Sequence, residues 1–274
     1  MSPFTDLQTD AVAIGRFDGL HLGHKALISN IGTNGALVVI DTFKANLTPV
    51  NFLNRFCKNK VIIYALSDIH KLSAEEFLAK LKEDLPNLQK IVVGDDFRFG
   101  NERSAGAEEL KKLFDKETVV VGEVRLDGVG VHSRFIRSLI VQGDVKKAAK
   151  FLGRNYEVKG NVVSGQGIGK QQFVPTVNLS VENFLLPNEG VYATRTQIDG
   201  KKHDSVTFVG HRLSTDGNFA VETHLLDFEP SDTQEVWIEF VQKIRDNEFY
   251  EKTQELKARI ELDIAATKDL LGFR

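Results

Sequence analysis

The hydrophobic pattern changes character near residue 153, and that change limits the chain to a two-part architecture. Before it, almost continuously apolar runs alternate with amphipathic segments. The runs are AVAI (11–14), ALVVIDTF (36–43), VIIYAL (61–66), KIVVGDD (90–96) and TVVVGEV (118–124). Val- and Ile-rich runs without polar alternation suit strands covered on both faces of a parallel sheet. The segments between them predict helices. SAEEFLAKLKED (73–84) opens with Ser73 and carries Glu76 three residues on, a capping box. AEELKKLF (107–114), the segment 133–142 and the segment 144–152 follow, the last with Asp144 as N-cap and Gly153 as stop. Strand–helix alternation predicts a Rossmann-like, doubly wound α/β domain over 1–153. Beyond it the segments are short, often alternating, and separated by Gly, Asn, Asp or Pro. That pattern predicts an antiparallel sheet closed as a small barrel or sandwich over 154–274. A final amphipathic helix, 253–271, should lie on it through Leu256, Ile260, Ile264 and Leu270–Leu271.

Composition narrows the function classes. The chain has 274 residues, 42% hydrophobic and 27% charged, with net charge −3. No basic excess points to nucleic acid. No apolar run is long enough to span a bilayer, so no membrane partner is expected. MSPFTDLQTD lacks a basic-then-apolar pattern, so no signal peptide is expected. The single cysteine, Cys57, allows no internal disulfide, which fits a reducing, cytoplasmic setting. Oligomeric state is not legible.

The turn after the first strand, GRFDGLHLGH (15–24), holds the densest chemistry. His21 and His24 are three apart, so at a helix start they share a face. Free N–H groups at a helix N-terminus attract phosphate. Gly15, Gly19 and Gly23 let the backbone approach a ligand closely. Two imidazoles added to that cradle suit charge developing on phosphoryl oxygens, as in nucleotidyl transfer with pyrophosphate leaving. The alternatives are a plain glycine-rich turn with solvated histidines, and a metal pair, which would need a further ligand.

With these residues in view, the chain resembles the bacterial bifunctional riboflavin kinase/FAD synthetases nearly end to end. GRFDGLHLGH is similar to their adenylyltransferase signature and VVGDDFRFG (92–100) to a second block. GDVKKAAKFLGRNYEVKGNVVSG (143–165) matches the hinge, VPTVNL (174–179) the kinase Pro-Thr-x-Asn, and AVETHLLDF (220–228) a later kinase block. The resemblance implies two reactions: ATP phosphorylates riboflavin to FMN, and a second ATP adenylylates FMN to FAD. It implies catalytic roles for His21 and His24, and ATP contacts for Gly15, Phe17, Asp18, Gly19, Gly23, Ser133 and Arg137. It implies flavin contacts for Asp96 and Phe97. In the second part it implies ATP contacts for Gly165, Gly169 and Lys170, although read alone that glycine-rich stretch lacks Walker spacing and is equally a barrel turn.

Thr176 and Asn178 are two apart on a strand and point to one face. Their oxygens suit Mg²⁺ bridging ATP phosphates, a role the resemblance supports. Strand alternation sets Glu222 opposite Val221 and Thr223. The residues alone leave it open between an outward solvated carboxylate and a base for the riboflavin 5′-hydroxyl; the resemblance favours the base. His224 shares its face and reads as structural. Trp237 reads as core rather than as a flavin-stacking ring.

The chain departs from the family in four places. The usual Ser-Ser-Thr-Arg-Ile-Arg is HSRFIR (132–137), Thr-Phe-x-Pro-His-Pro is reduced to DTFKANLTP (41–49), a glycine is replaced by Phe173, and Arg-Pro-Thr becomes HRLST (211–215). Two alternatives follow: a riboflavin kinase with a silent first module, or a flavin- or nucleotide-binding regulator without turnover. Retention of Glu222 argues against the regulator.

Overall fold

The computed structural model describes residues 6–44, 46–163, 174–228 and 233–272. It divides into two compact units, Met1–Ser133 and Arg134–Arg274.

In the first unit five parallel strands lie in the order β3-β2-β1-β4-β7: β1 Ala11–Gly15, β2 Ala36–Asp41, β3 Lys60–Ala65, β4 Lys90–Gly94 and β7 Glu117–Val121. Two-residue strands β5 (Arg98–Phe99) and β6 (Ala105–Gly106) pair with each other, as do β8 (Arg125–Leu126) and β9 (Val129–Gly130). The apolar runs are continuous because both sheet faces are covered. Val12 and Ile14 enter one cluster with Val38, Phe77 and Leu81. Ala11 and Ala13 enter the other with Leu37, Val39 and Leu53. Helices α1 (Leu22–Ile28), α2 (Leu66–Ile69), α3 (Ala74–Asp84) and α4 (Ala107–Leu113) connect the strands. The expected box caps α3: Ser73 Oγ accepts from Glu76 N at 3.2 Å and Glu76 Oε2 accepts from Ser73 N at 2.7 Å. Such a cap contributes about 1 kcal/mol. Strand order reverses between β1 and β4, and ligands in open parallel sheets bind beyond the strand ends at that point.

In the second unit α5 (Ser133–Val141) and α6 (Val145–Leu152) precede the strands. Asp144 Oδ1 accepts from Lys147 N at 3.0 Å, and Gly153 ends α6 with φ +67°. The α6 face Val145, Ala148, Phe151 and Leu152 is buried, and the helix packs on β10 and β15. Six strands form a closed barrel rather than a sandwich, in the order β10-β11-β14-β13-β12-β15: β10 Tyr156–Val163, β11 Val177–Ser180, β12 Gly190–Ile198, β13 Lys201–His211, β14 Phe219–Leu225 and β15 Glu235–Asp246. Closure follows because β10 pairs with both β11 and β15. Inside, Thr194, Thr196, Ser205, Thr207 and Thr223 are fully buried and hydrogen-bond one another, so the burial of their hydroxyls is compensated. Trp237 is half-buried with its ring edge-on to Phe184.

The C-terminal helix α7 (Thr253–Leu271) packs on β12, β13 and β15, as expected, with Leu256, Ile260, Ile264 and Leu271 of the expected face half-buried. Its buried positions are Asp263 and Thr267, while Leu270 is 44% exposed. Asp263 takes three hydrogen bonds from Arg245 at 2.8–3.0 Å, with both side chains nearly enclosed. An ion pair therefore helps dock the helix. Removing one partner strands the other charge, so Asp263→Ala should lower barrel stability by about 3 kcal/mol. Denaturant titration checks this, and a loss below about 0.5 kcal/mol, the ordinary surface-substitution range, refutes it.

Candidate functional site

The first site grows from the turn between β1 and α1. Three successive features force its shape. Gly19 adopts φ +91°, a conformation glycine tolerates, while Phe17 (φ +51°) and Leu20 (φ +41°) hold left-handed backbone at about 1 kcal/mol each. Asp18 is buried; its Oδ1 accepts from Leu47 N at 2.9 Å and Thr48 N at 3.0 Å, and its carbonyl accepts from Ser133 Oγ at 2.8 Å. A Cβ on Gly23 would meet the His21 ring at 3.1 Å and the Val131 carbonyl at 3.2 Å. In this structure the glycine at 23 thus makes room for His21 itself.

The two histidines are organised by the helix start. His21 is the N-cap of α1, and its Nδ1 accepts from His24 N at 3.3 Å. With Nδ1 accepting, the proton of the neutral ring sits on Nε2, leaving a donor there. The rings of His21 and His24 stack with centroids 3.6 Å apart, and Phe17 lies 5.2 Å from His24.

Both histidines line a cavity of about 460 Å³ at the β1/β4 switch point. Of the expected residues, Gly15, Gly23, Asp96, Phe97 and Ser133 line it too. Phe17, Asp18 and Gly19 shape the turn behind it and are not among its lining residues. Arg137 is half-buried on α5 in the second unit.

Sequence reasoning passed over His132 and Glu123, which also line the cavity. His132 Nε2 lies 2.8 Å from Glu123 Oε1, and Arg125 holds the other oxygen at 2.5 Å. The His132 bond first, and Arg125 second, keep the Glu123 carboxyl below its ordinary range. The histidine of HSRFIR was the available signal. Phe135, where the family has arginine, packs its ring edge-on against Phe151 at 4.9 Å.

The second site sits on the outer face of the barrel. Asn178 on β11 pairs directly across from Glu222 on β14, so the two side chains share a face, opposite Thr223. Thr176 precedes β11 by one residue. His224 Nδ1 lies 2.8 Å from the Pro175 carbonyl and anchors the Pro-Thr segment, the structural part expected of it.

Arg212, also passed over, connects the pair. Its Nε and Nη2 both reach Glu222 Oε1 at 2.7 Å, and Nη2 donates to Asn178 Oδ1 at 3.0 Å. Among the described residues no hydrogen bond reaches Glu222 Oε2. The signal was the arginine kept in HRLST when its two followers changed. Gly165, Gly169, Lys170 and Phe173 lie outside the described residues.

Among the described residues no cluster of three or more His, Cys, Asp or Glu offers a caged metal site. The donor set of Thr176 and Asn178 fits a hard cation that keeps waters and takes its other ligands from phosphate.

A parallel α/β sheet with paired histidines at its switch point, together with a barrel bearing a half-buried amide–carboxylate pair, defines the class: an ATP-dependent transferase with two catalytic domains. A family described as FAD synthetase matches residues 4–55 and 59–138, and one described as riboflavin kinase matches 152–271. The bifunctional riboflavin kinase/FMN adenylyltransferase of Buchnera aphidicola subsp. Acyrthosiphon pisum is 32% identical, with 92% of this chain and 90% of that protein covered. That of Buchnera aphidicola subsp. Schizaphis graminum is 30% identical over 94% and 93%. A crystal structure from Streptococcus pneumoniae, described as a macrolide-efflux protein, shares the fold with TM-score 0.85 and 25% identity over 96% of this chain and 95% of that one. The chain belongs to the bifunctional riboflavin kinase/FMN adenylyltransferase family. It is a transferase with both activities.

Proposed function

We propose that residues 1–153 adenylylate FMN and residues 154–274 phosphorylate riboflavin, in the cytoplasm and with Mg²⁺ as the divalent cation. One observation carries this reading: folding brings each set of sequence-distant groups to one place. The stacked histidines share a cavity with Asp96 and Phe97. Asn178 and Glu222 stand side by side across β11 and β14.

In the first domain the FMN phosphate oxygen attacks the α-phosphorus of ATP and pyrophosphate leaves. His21 and His24 donate hydrogen bonds to phosphoryl oxygens as charge builds on them. Gly15 and Gly23 border the nucleotide, Phe17, Asp18 and Gly19 hold the turn, Ser133 and Arg137 serve the triphosphate, and Asp96 and Phe97 face the flavin. In the second, Glu222 accepts the proton of the riboflavin 5′-hydroxyl as its oxygen bonds to the γ-phosphorus and ADP departs. Thr176 and Asn178 would hold Mg²⁺, which neutralises phosphate charge when bound. Gly165, Gly169 and Lys170 serve ATP.

A second reading, a kinase with a silent first domain, is favoured by Phe135, whose packing on Phe151 replaces a cation of the family motif. The efflux function of the pneumococcal protein is not carried over: among the described residues no helix is long and apolar enough to cross a membrane.

A chromatographic time course with riboflavin, ATP and Mg²⁺ tests the proposal. FMN followed by FAD is expected. FMN alone selects the second reading, and neither product overturns both.

A further inference from the structure

The hairpin turn between β13 and β14 is built around one side chain. Arg212 N donates to the Asn218 carbonyl at 3.0 Å, and Gly217 N donates to the Arg212 carbonyl at 3.1 Å. Arg212 Nη1 donates to Asp216 Oδ2 at 3.1 Å. Asp216 is itself held as a carboxylate, its proton affinity lowered first by the backbone N–H of Asn218. The turn therefore fixes the guanidinium from behind, and its other edge lies against Glu222 Oε1 and Asn178 Oδ1. A planar, always-charged fork is suited to bridging two such oxygens at once.

The contact with Asn178 has a consequence for metal binding. A guanidinium nitrogen 3.0 Å from Oδ1 takes one of that oxygen's two lone-pair directions and sets a positive charge beside it. A divalent ion at 2.0–2.1 Å, as Mg²⁺ requires, and the arginine cannot both use that oxygen without strong repulsion between two cations. The carboxylate contact is different, because Glu222 Oε1 can keep its guanidinium while Oε2 takes a proton.

We propose that Arg212 is a positioning residue that stands in for the divalent cation, holding Asn178 and Glu222 in register in the ligand-free barrel and releasing Asn178 when metal–nucleotide enters. The proposal rests on the reading of Asn178 as a metal ligand. It makes metal–nucleotide affinity a competition: the apparent constant is weakened by the fraction of molecules in which Arg212 covers Asn178. Asp216 raises that fraction, because it holds the opposite edge of the same fork and keeps the guanidinium over Asn178.

The test is isothermal titration of the full-length chain with Mg·ADP, without turnover. The phase lost in Asn178→Ala belongs to the barrel. In Arg212→Gln that phase should tighten about tenfold, the size expected when one charge-assisted hydrogen bond no longer competes. Asp216→Asn leaves Asn178, Glu222 and Arg212 in place and frees the guanidinium from its rear anchor. It should therefore shift the same phase the same way, by a smaller factor, and it decides the matter if Arg212→Gln does not fold. If the barrel phase exists but is unchanged or weaker in Arg212→Gln, or unchanged or weaker in Asp216→Asn, the stand-in role is overturned and the metal reading stands. If Asn178→Ala loses no phase, both fall.

Discussion

Glu222→Gln should abolish riboflavin phosphorylation while FMN supplied directly is still converted to FAD. A positioned general base contributes about 10²- to 10⁴-fold, and the amide removes that and little else. Glutamine keeps the length of the side chain and an oxygen that can still accept from Arg212 Nε and Nη2, so the register with Asn178 should survive. What disappears is the basic oxygen, Oε2 in this arrangement. The measurement is initial FMN formation from riboflavin, set beside FAD formation from added FMN in the same preparation. A kinase rate within about tenfold of the parent, below the range of general-base effects, would remove Glu222 from the chemistry. Equal loss of both activities would point to misfolding.

The reciprocal result is expected for His24→Ala: FAD formation falls about 10²- to 10³-fold, the usual loss for one preorganised donor, and riboflavin phosphorylation continues. His24 takes part in the α1 cap through its backbone N–H. The cap is made by His21 Nδ1 to the backbone N–H of residue 24, which alanine retains. Its ring contributes the stack on His21 and a place on the cavity wall. The variant therefore removes a donor from the cavity and leaves the helix start intact. Unimpaired FAD formation would show that His21 suffices and that the stacked pair is a packing feature.

The site was legible where chemistry is compressed into a few consecutive residues. The histidine pair could be placed because a strand, a glycine turn and a helix follow one another within residues 11–28, so local rules fix their geometry. The face shared by Glu222 and His224 came from the two-residue period of a strand. The turn contacts of Asp18 were not legible: a carboxylate in a phosphate-binding signature reads as a ligand contact. Its partners, Leu47 and Thr48, lie about thirty residues away along the chain. Arg212 escaped notice because its partners at 178 and 222 meet it only once β11, β13 and β14 are adjacent.

The sequence by itself determined the two-part architecture, the strand–helix alternation, the barrel strands and the family. Those are carried by hydrophobic period, glycine placement and short motifs, all properties of neighbouring residues. Tertiary structure alone decided that an Arg245–Asp263 ion pair joins the apolar residues in docking the C-terminal helix, that Gly23 serves His21, and that an arginine joins Asn178 to Glu222. Each of these depends on groups distant in sequence approaching within hydrogen-bonding or van der Waals distance. No local periodicity encodes such a pairing, because it is set by the register between elements and by burial after the chain has closed on itself.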